Sequence, residues 1–196
     1  MNKTLIVVLA ILGVIVLGGI GFFRWGAGVY DRAVSLDEDS KKAWSNVQSA
    51  YQRRADLVPE LVATVKASAE NEKTILTQVT QARAGIVGAK TPEDLTLAGK
   101  KINTAINLAF EAYPEIRSTA NFATLQSQLE GTENRIKVER DNYNAAVAEY
   151  NKHIRGFFKR WALSMFSDGE FQMKQGFEAV SENADQAPDV NKMFKE

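Results

Sequence analysis

Two kinds of hydrophobic pattern succeed one another along this chain. From Leu5 to Phe23 the pattern is continuous: 19 uncharged, almost wholly apolar residues, closed by Arg24 and Trp25. At about 1.5 Å per residue such a run makes a helix roughly 28 Å long, close to the hydrocarbon thickness of a bilayer. From Trp44 the pattern becomes periodic. A mostly apolar stripe steps by three and four through Trp44, Val47, Tyr51, Arg54, Val58, Leu61, Val65, Ser68, Glu72, Ile75, Val79, Ala82 and Ile86, which is the spacing of one helix face. Its phase extends back to Ala33 and Tyr30. The stripe predicts one rod from about Tyr30 to Ile86, kinked at Pro59, whose ring removes a backbone donor and clashes with the carbonyl of Ala55.

Gly85, Gly88 and Lys90 end the rod, and Thr91-Pro92-Glu93-Asp94 opens a second helix. Thr91 is suited to the N-cap, Pro92 to the first helical position, and the two acids to the positive helix end. The stripe there reads Leu95, Ala98, Ile102, Ala105, Ala109 and Tyr113 and stops near Pro114. A third helix opens between Ser118 and Asn121, with Phe122, Leu125, Leu129, Thr132, Ile136, Arg140, Tyr143, Val147, Tyr150 and Ile154 on one face. No segment alternates with period two, so the predicted class is all-α. An N-terminal transmembrane helix precedes an antiparallel, up-and-down three-to-four-helix bundle with a long, Pro59-kinked first helix. Three parts are expected: an anchor over 1–28, a bundle core over 29–156, and an aromatic-rich helical segment over 157–196 that completes or extends the bundle. In that last part Phe171, Phe177 and Val180 mark a shorter amphipathic stretch.

The apolar run reads as a single uncleaved anchor. A signal peptide has a shorter apolar stretch and a basic start, and Gly26-Ala27-Gly28 is a weak cleavage match; a core helix would show a polar face. Arg24, Arg32, Lys41 and Lys42 follow the run and Lys3 alone precedes it. The positive-inside bias therefore favours an outside N-terminus and a cytoplasmic bundle. Only Gly26 and Gly28 stand between anchor and rod, so the membrane helix is expected to continue as a stalk. The anchor's glycines form no Gly-x-x-x-Gly pair, and oligomerisation through it is not supported.

Composition narrows the rest. Beyond residue 28 the chain carries 22 Lys and Arg against 24 Asp and Glu, a formal charge of −2. That leaves no basic excess for nucleic-acid binding. The absence of cysteine removes disulfides, thiolate chemistry and cysteine zinc sites.

Several blocks then fall in a recognisable order: Arg53-Arg54-Ala55-Asp56-Leu57-Val58-Pro59-Glu60-Leu61-Val62, Glu111-Ala112-Tyr113-Pro114, Asn121-Phe122-Ala123-Thr124-Leu125-Gln126, Leu129-Glu130-Gly131-Thr132-Glu133-Asn134-Arg135-Ile136, Arg140, Tyr143-Asn144 and Tyr150-Asn151. With them the chain resembles the LemA family of bacterial single-pass membrane proteins, from about Tyr30 to Val190. Two positions depart from the family pattern: Glu60 stands where the family usually has Asn, and Phe157-Phe158 where it usually has Phe-Pro. The second departure leaves the third helix free to run on into the aromatic segment. The resemblance implies a membrane-anchored helical bundle and no particular reaction. Some relatives are associated with building membrane organelles, an analogy that points to scaffolding.

Two sets of residues are candidates for function. Arg54, Ser68, Glu72, Thr132 and Arg140 interrupt apolar stripes, and the expected role is a polar layer that fixes helix register, with Arg54 or Arg140 paired to Glu72, Glu130 or Glu133. Phe157, Phe158, Trp161, Met165 and Phe166 crowd around Lys159 and Arg160, forming either an interaction surface or a cap on the bundle end. A di-metal centre needs Glu-x-x-His repeats on two helices, but this chain has one histidine, His153, with Tyr150 three residues before it. His153 is expected at a surface or helix edge. G-x-S-x-G, H-E-x-x-H and P-loop motifs are absent.

The leading expectation is therefore a scaffold without enzymatic activity, metal or cofactor. It would associate with the bilayer and with itself or a membrane-protein partner. A lipid- or small-ligand-binding module at the membrane surface is the alternative, and an enzyme of unknown reaction the third.

Overall fold

The computed structural model describes residues 3–63, 69–112, 122–167 and 169–178. The described helices are α1 Lys3–Ala63, α2 Ala69–Gly88, α3 Pro92–Ala112, α4 Phe122–Arg155 and α5 Phe157–Phe166. No strand occurs among these residues. Helix α1 carries the apolar run into the amphipathic stripe without a break, with Gly26, Gly28 and Pro59 all inside it.

The chain divides into two compact units, one of residues 1–40 and 146–174, the other of 41–145 and 175–196. In the first, α1 contributes Val29, Ala33 and Leu36, α4 contributes Tyr150 and Ile154, and α5 contributes Ala162 and Leu163 to one buried cluster. On α1 and α4 these positions are three, four or seven apart and on α5 they are adjacent, so the apolar faces of the three helices meet at a common centre. An Arg32–Glu149 ion pair of 2.5 Å ties α1 to α4 at the exposed rim.

The second unit holds α2, α3 and the remaining parts of α1 and α4. Val47, Tyr51, Ala55 and Val58 of α1 are buried with Ile75, Val79, Ala82 and Ile86 of α2, Leu95, Ile102, Ala105 and Ala109 of α3, and Leu129 and Ile136 of α4. Tyr51 lies so close to α3 that a Cβ on Gly99 would sit 2.5 Å from its ring, which explains a glycine inside that helix. Thr91 caps α3: its hydroxyl accepts the Asp94 amide at 3.2 Å, while the Asp94 carboxylate accepts the Thr91 and Lys90 amides at 3.0 Å each. This is a reciprocal capping box.

The stripe from Tyr30 to Ile86 is not one rod. Helix α1 ends at Ala63 and α2 turns back along it: Gln48 of α1 donates to the Ile86 carbonyl at 3.0 Å, and Arg83 of α2 pairs with Asp56. A hairpin whose two helices face the same core keeps the apolar phase as well as a straight rod does, because periodicity carries no information about chain direction. The expected ends of the second and third helices near Pro114 and Ser118, and the stretch around Val180, lie outside the described residues.

Helix α4 does not run on into the aromatic segment. The helical path breaks at Gly156, whose φ of −57° and ψ of 129° are extended, and α5 restarts at Phe157. Beyond α5, Gly169 turns at a φ of +82°, a left-handed conformation open to glycine. Residues 170–178 are not helical, unlike the helical C-terminal segment expected from the sequence. They form an irregular strap instead.

Candidate functional site

The aromatic segment is displayed at the end of the apolar run. Phe22 stacks at a tilt 5.3 Å from Trp161, Phe23 meets Phe166 edge-on at 5.8 Å, and Phe22 also contacts Trp25. A Cβ on Gly26 would overlap the Phe166 ring, so α5 sits against bare α1 backbone there. Only Ala162 and Leu163 of α5 point into the unit's core. Phe157, Phe158, Trp161 and Met165 stay exposed, Phe157 at 81%. Phe166 is half-buried. A ten-residue helix that buries two residues and leaves aromatic rings and Lys159 and Arg160 outside is amphipathic in the manner of an interfacial helix.

His153 corrects the sequence reading. It is buried at 8% exposure, its Nε2 lies 3.0 Å from the Val29 carbonyl of α1, and its Nδ1 lies 3.3 Å from Lys159 Nζ. It thus links α4, α1 and α5 next to the aromatic collar. Among the described residues no three His, Asp or Glu side chains gather as metal ligands.

The polar layer lies in the second unit. Arg54 is 2% exposed and Arg140 8%. Burial pushes the Arg54 guanidinium below its ordinary pKa, while the Glu133 carboxylate opposes this. Arg54 Nε and Nη2 have no hydrogen-bond partner among the described residues. Burial raises the Tyr51 phenol, and Arg140 and Arg54 draw it back. Of the expected acidic partners, Glu133 therefore faces Arg54 electrostatically. Glu130 is exposed and accepts from Gln126 on its own helix. The side chains of Glu72 and Ser68 lie outside the described residues. Thr132 is half-buried and spends its hydroxyl on the Leu129 carbonyl. Sequence reasoning missed Glu139, which is 4% exposed and pairs with Arg135 at 2.7 Å one turn earlier.

It also missed a device that occurs once in each unit. In the second, Asn144 of α4 donates to the Phe177 carbonyl at 3.0 Å and accepts the Phe177 amide at 2.7 Å, while the Tyr143 hydroxyl donates to the Gln175 carbonyl at 3.1 Å. In the first, Asn151 does the same to Lys174 at 2.8 and 3.0 Å, and the Tyr150 hydroxyl donates to the Gln172 carbonyl at 3.0 Å. Lys174 is further fixed by Asp37 at 2.7 Å and by the Ser40 hydroxyl.

A profile of the LemA family matches residues 43–191. The chain belongs to the LemA family. A protein named Protein LemA from Metamycoplasma hominis is 24% identical over 144 residues, a match covering 71% of this chain and 65% of that protein. The chain thus spans less than two thirds of the relative it matches. The LemA match contains the polar layer, both Tyr-Asn clamps and α5, whereas Phe22 and Trp25 precede it. Among the described residues one helix, Thr4–Glu60, is long and apolar enough to cross a membrane; it begins before the match and runs into it, and its most apolar stretch is wholly unburied.

Proposed function

We propose that this LemA-family chain is a membrane-anchored scaffold without catalytic activity, held in a bacterial inner membrane by residues 5–23 with its bundle in the cytoplasm. A self-associating form organises partners at the membrane surface. The observation that carries the reading is the collar: α5 exposes Phe157, Phe158, Trp161 and Met165 beside Phe22 and Trp25, where the apolar run ends. Aromatic rings flanked by Arg24, Lys159 and Arg160 match the chemistry of the headgroup region. In this reading α5 lies in the interface and gives the bundle a second membrane contact besides the anchor.

The test uses the full chain in vesicles containing lipids brominated near the headgroup, with Trp25 and Trp44 replaced by Phe. Trp161 emission should be quenched, and Trp161→Glu at unchanged helicity should release α5 to amide exchange. An unquenched Trp161 overturns the interfacial contact. Gel filtration in mild detergent with crosslinking in native membranes tests the scaffold, and a strict monomer overturns it. A reporter fused at the C-terminus checks orientation.

A further inference from the structure

In the second unit, the end of the strap is held by a site that reads main chain and one aromatic ring. The Phe177 ring is 7% exposed, stacked on Trp44 of α1 at 6.1 Å, edge-on to Tyr143 of α4 at 5.5 Å, and covered by the Arg140 guanidinium at 4.6 Å. Asn144 takes both main-chain groups of Phe177, Tyr143 takes the Gln175 carbonyl, and Arg140 Nη2 donates to the Glu178 carbonyl at 3.4 Å. A Cβ on residue 176 would stand 2.8 Å from Asn144 Oδ1, so the clamp closes fully over glycine alone. The ligand chemistry is therefore a non-helical segment with glycine followed by an aromatic residue.

Among the described residues, every hydrogen bond to residues 175–178 comes from a helix side chain to their main chain, or from their amide back to it. Among the described residues the last backbone–backbone bond before the strap is Glu170 to Ser167. Releasing the segment breaks no helix, and the receiving surface is built on two long helices. An empty site, by contrast, exposes three faces of an aromatic pocket and leaves Asn144 without its partners. A second copy carries the same Gly176-Phe177 and fits this surface identically, which is the condition for low-cost exchange between copies.

We propose that the Trp44–Arg140–Tyr143–Asn144 surface is a docking site for residues 175–178 of a second copy, so that neighbouring chains exchange straps. The proposal rests on the self-association read above and names its contact.

Because the chain has no cysteine, introduced ones report alone. Gln175 and Thr96 line the same cleft of about 660 Å³. Full-length chains carrying Thr96→Cys and differently tagged chains carrying Gln175→Cys are co-produced, and native membranes are treated with a short bis-maleimide. A chain bearing both cysteines, diluted in cysteine-free chain, establishes reach by crosslinking internally. Exchange predicts crosslinks between the two tags. Adding Phe177→Ala to the Gln175→Cys chain should lower the yield by about tenfold or more, given what a buried ring contributes. Tyr143→Phe on the Thr96→Cys chain keeps the ring and should give a smaller loss. Crosslinks confined to the doubly substituted chain overturn exchange. If the protein is then still oligomeric by gel filtration, self-association stands by another contact, whereas a monomer removes both readings. A between-copy yield unchanged by Phe177→Ala also overturns the proposal.

Discussion

Gly26 and Phe166 meet where nothing larger than hydrogen fits: a Cβ on Gly26 would overlap the Phe166 ring. Glycine inside a helix ordinarily costs about 1 kcal/mol relative to alanine, so this one is explained by the approach of α5. Gly26→Val should displace Phe166 and loosen α5 while α1 stays helical. Amide exchange over residues 157–166 should accelerate and the Trp161 emission should shift, with far-UV circular dichroism nearly unchanged. Undiminished protection of α5 would mean that Ala162 and Leu163 alone position it.

Asn151 bonds both main-chain groups of Lys174, and both are partly buried. Asn151→Ala leaves a donor and an acceptor without partners, at a cost of about 1–3 kcal/mol each where burial is complete and less here. Urea unfolding should therefore show a loss of roughly 1–3 kcal/mol on the same basis. Asn151→Asp retains the acceptor for the Lys174 amide and should lose less. Equal losses from the two variants would show that the amide donor carries the whole clamp.

The apolar faces of these helices could be read from spacing because each buried position repeats at three or four residues. Val47, Tyr51, Val58, Ile102, Ile136 and Tyr150 are buried where the stripe puts them. Arg54 and Arg140 were legible as buried for the same reason. Chain direction was not: Ile75 and Ile86 keep the phase of Val47 although their helix returns, and only long-range pairs such as Gln48 with Ile86 record the turn. His153 lies beside the stripe, one position before Ile154, and its burial depends on Val29 and Lys159, far away in the chain or on the next helix. The clamps left one trace in the sequence, the Tyr-Asn pair at 143 and again at 150. Its meaning could not be seen without the strap, since asparagine beside a buried tyrosine reads as a solvated edge.

Asp94 gives a pH dependence. Hydrogen bonds from the Lys90 amide and from Thr91 hold its carboxyl below the ordinary carboxylate range. A carboxyl with a lower pKa in the folded state stabilises above its unfolded value of about 3.9 and loses that contribution as pH falls through the folded value. Stability should therefore decline below about pH 4 partly through this cap. Asp94→Asn should flatten that limb, and Thr91→Ala should cost about 1 kcal/mol at neutral pH. Thermal melts between neutral and acid pH check both, and an unchanged acid limb in Asp94→Asn would assign it to other carboxylates.

Arg54 tests what the polar layer contributes. Its guanidinium is buried, Nε and Nη2 have no hydrogen-bond partner among the described residues, and the charge of Glu133 offsets only part of the desolvation that lowers its pKa. A buried charge held this way weighs against stability, and an apolar side chain of similar length can be neutral or better by about 1–4 kcal/mol. Arg54→Met should therefore keep or raise the melting temperature. Arg54→Glu, which places a second negative charge by Glu133, should lose about 3–5 kcal/mol. If the layer fixes register, Arg54→Met should also lose uniqueness, seen as broadened near-UV signals or mixed species on gel filtration at undiminished stability. A methionine variant that is both more stable and as well ordered would assign register to packing alone, whereas one that unfolds would show that the guanidinium holds the bundle through Glu133.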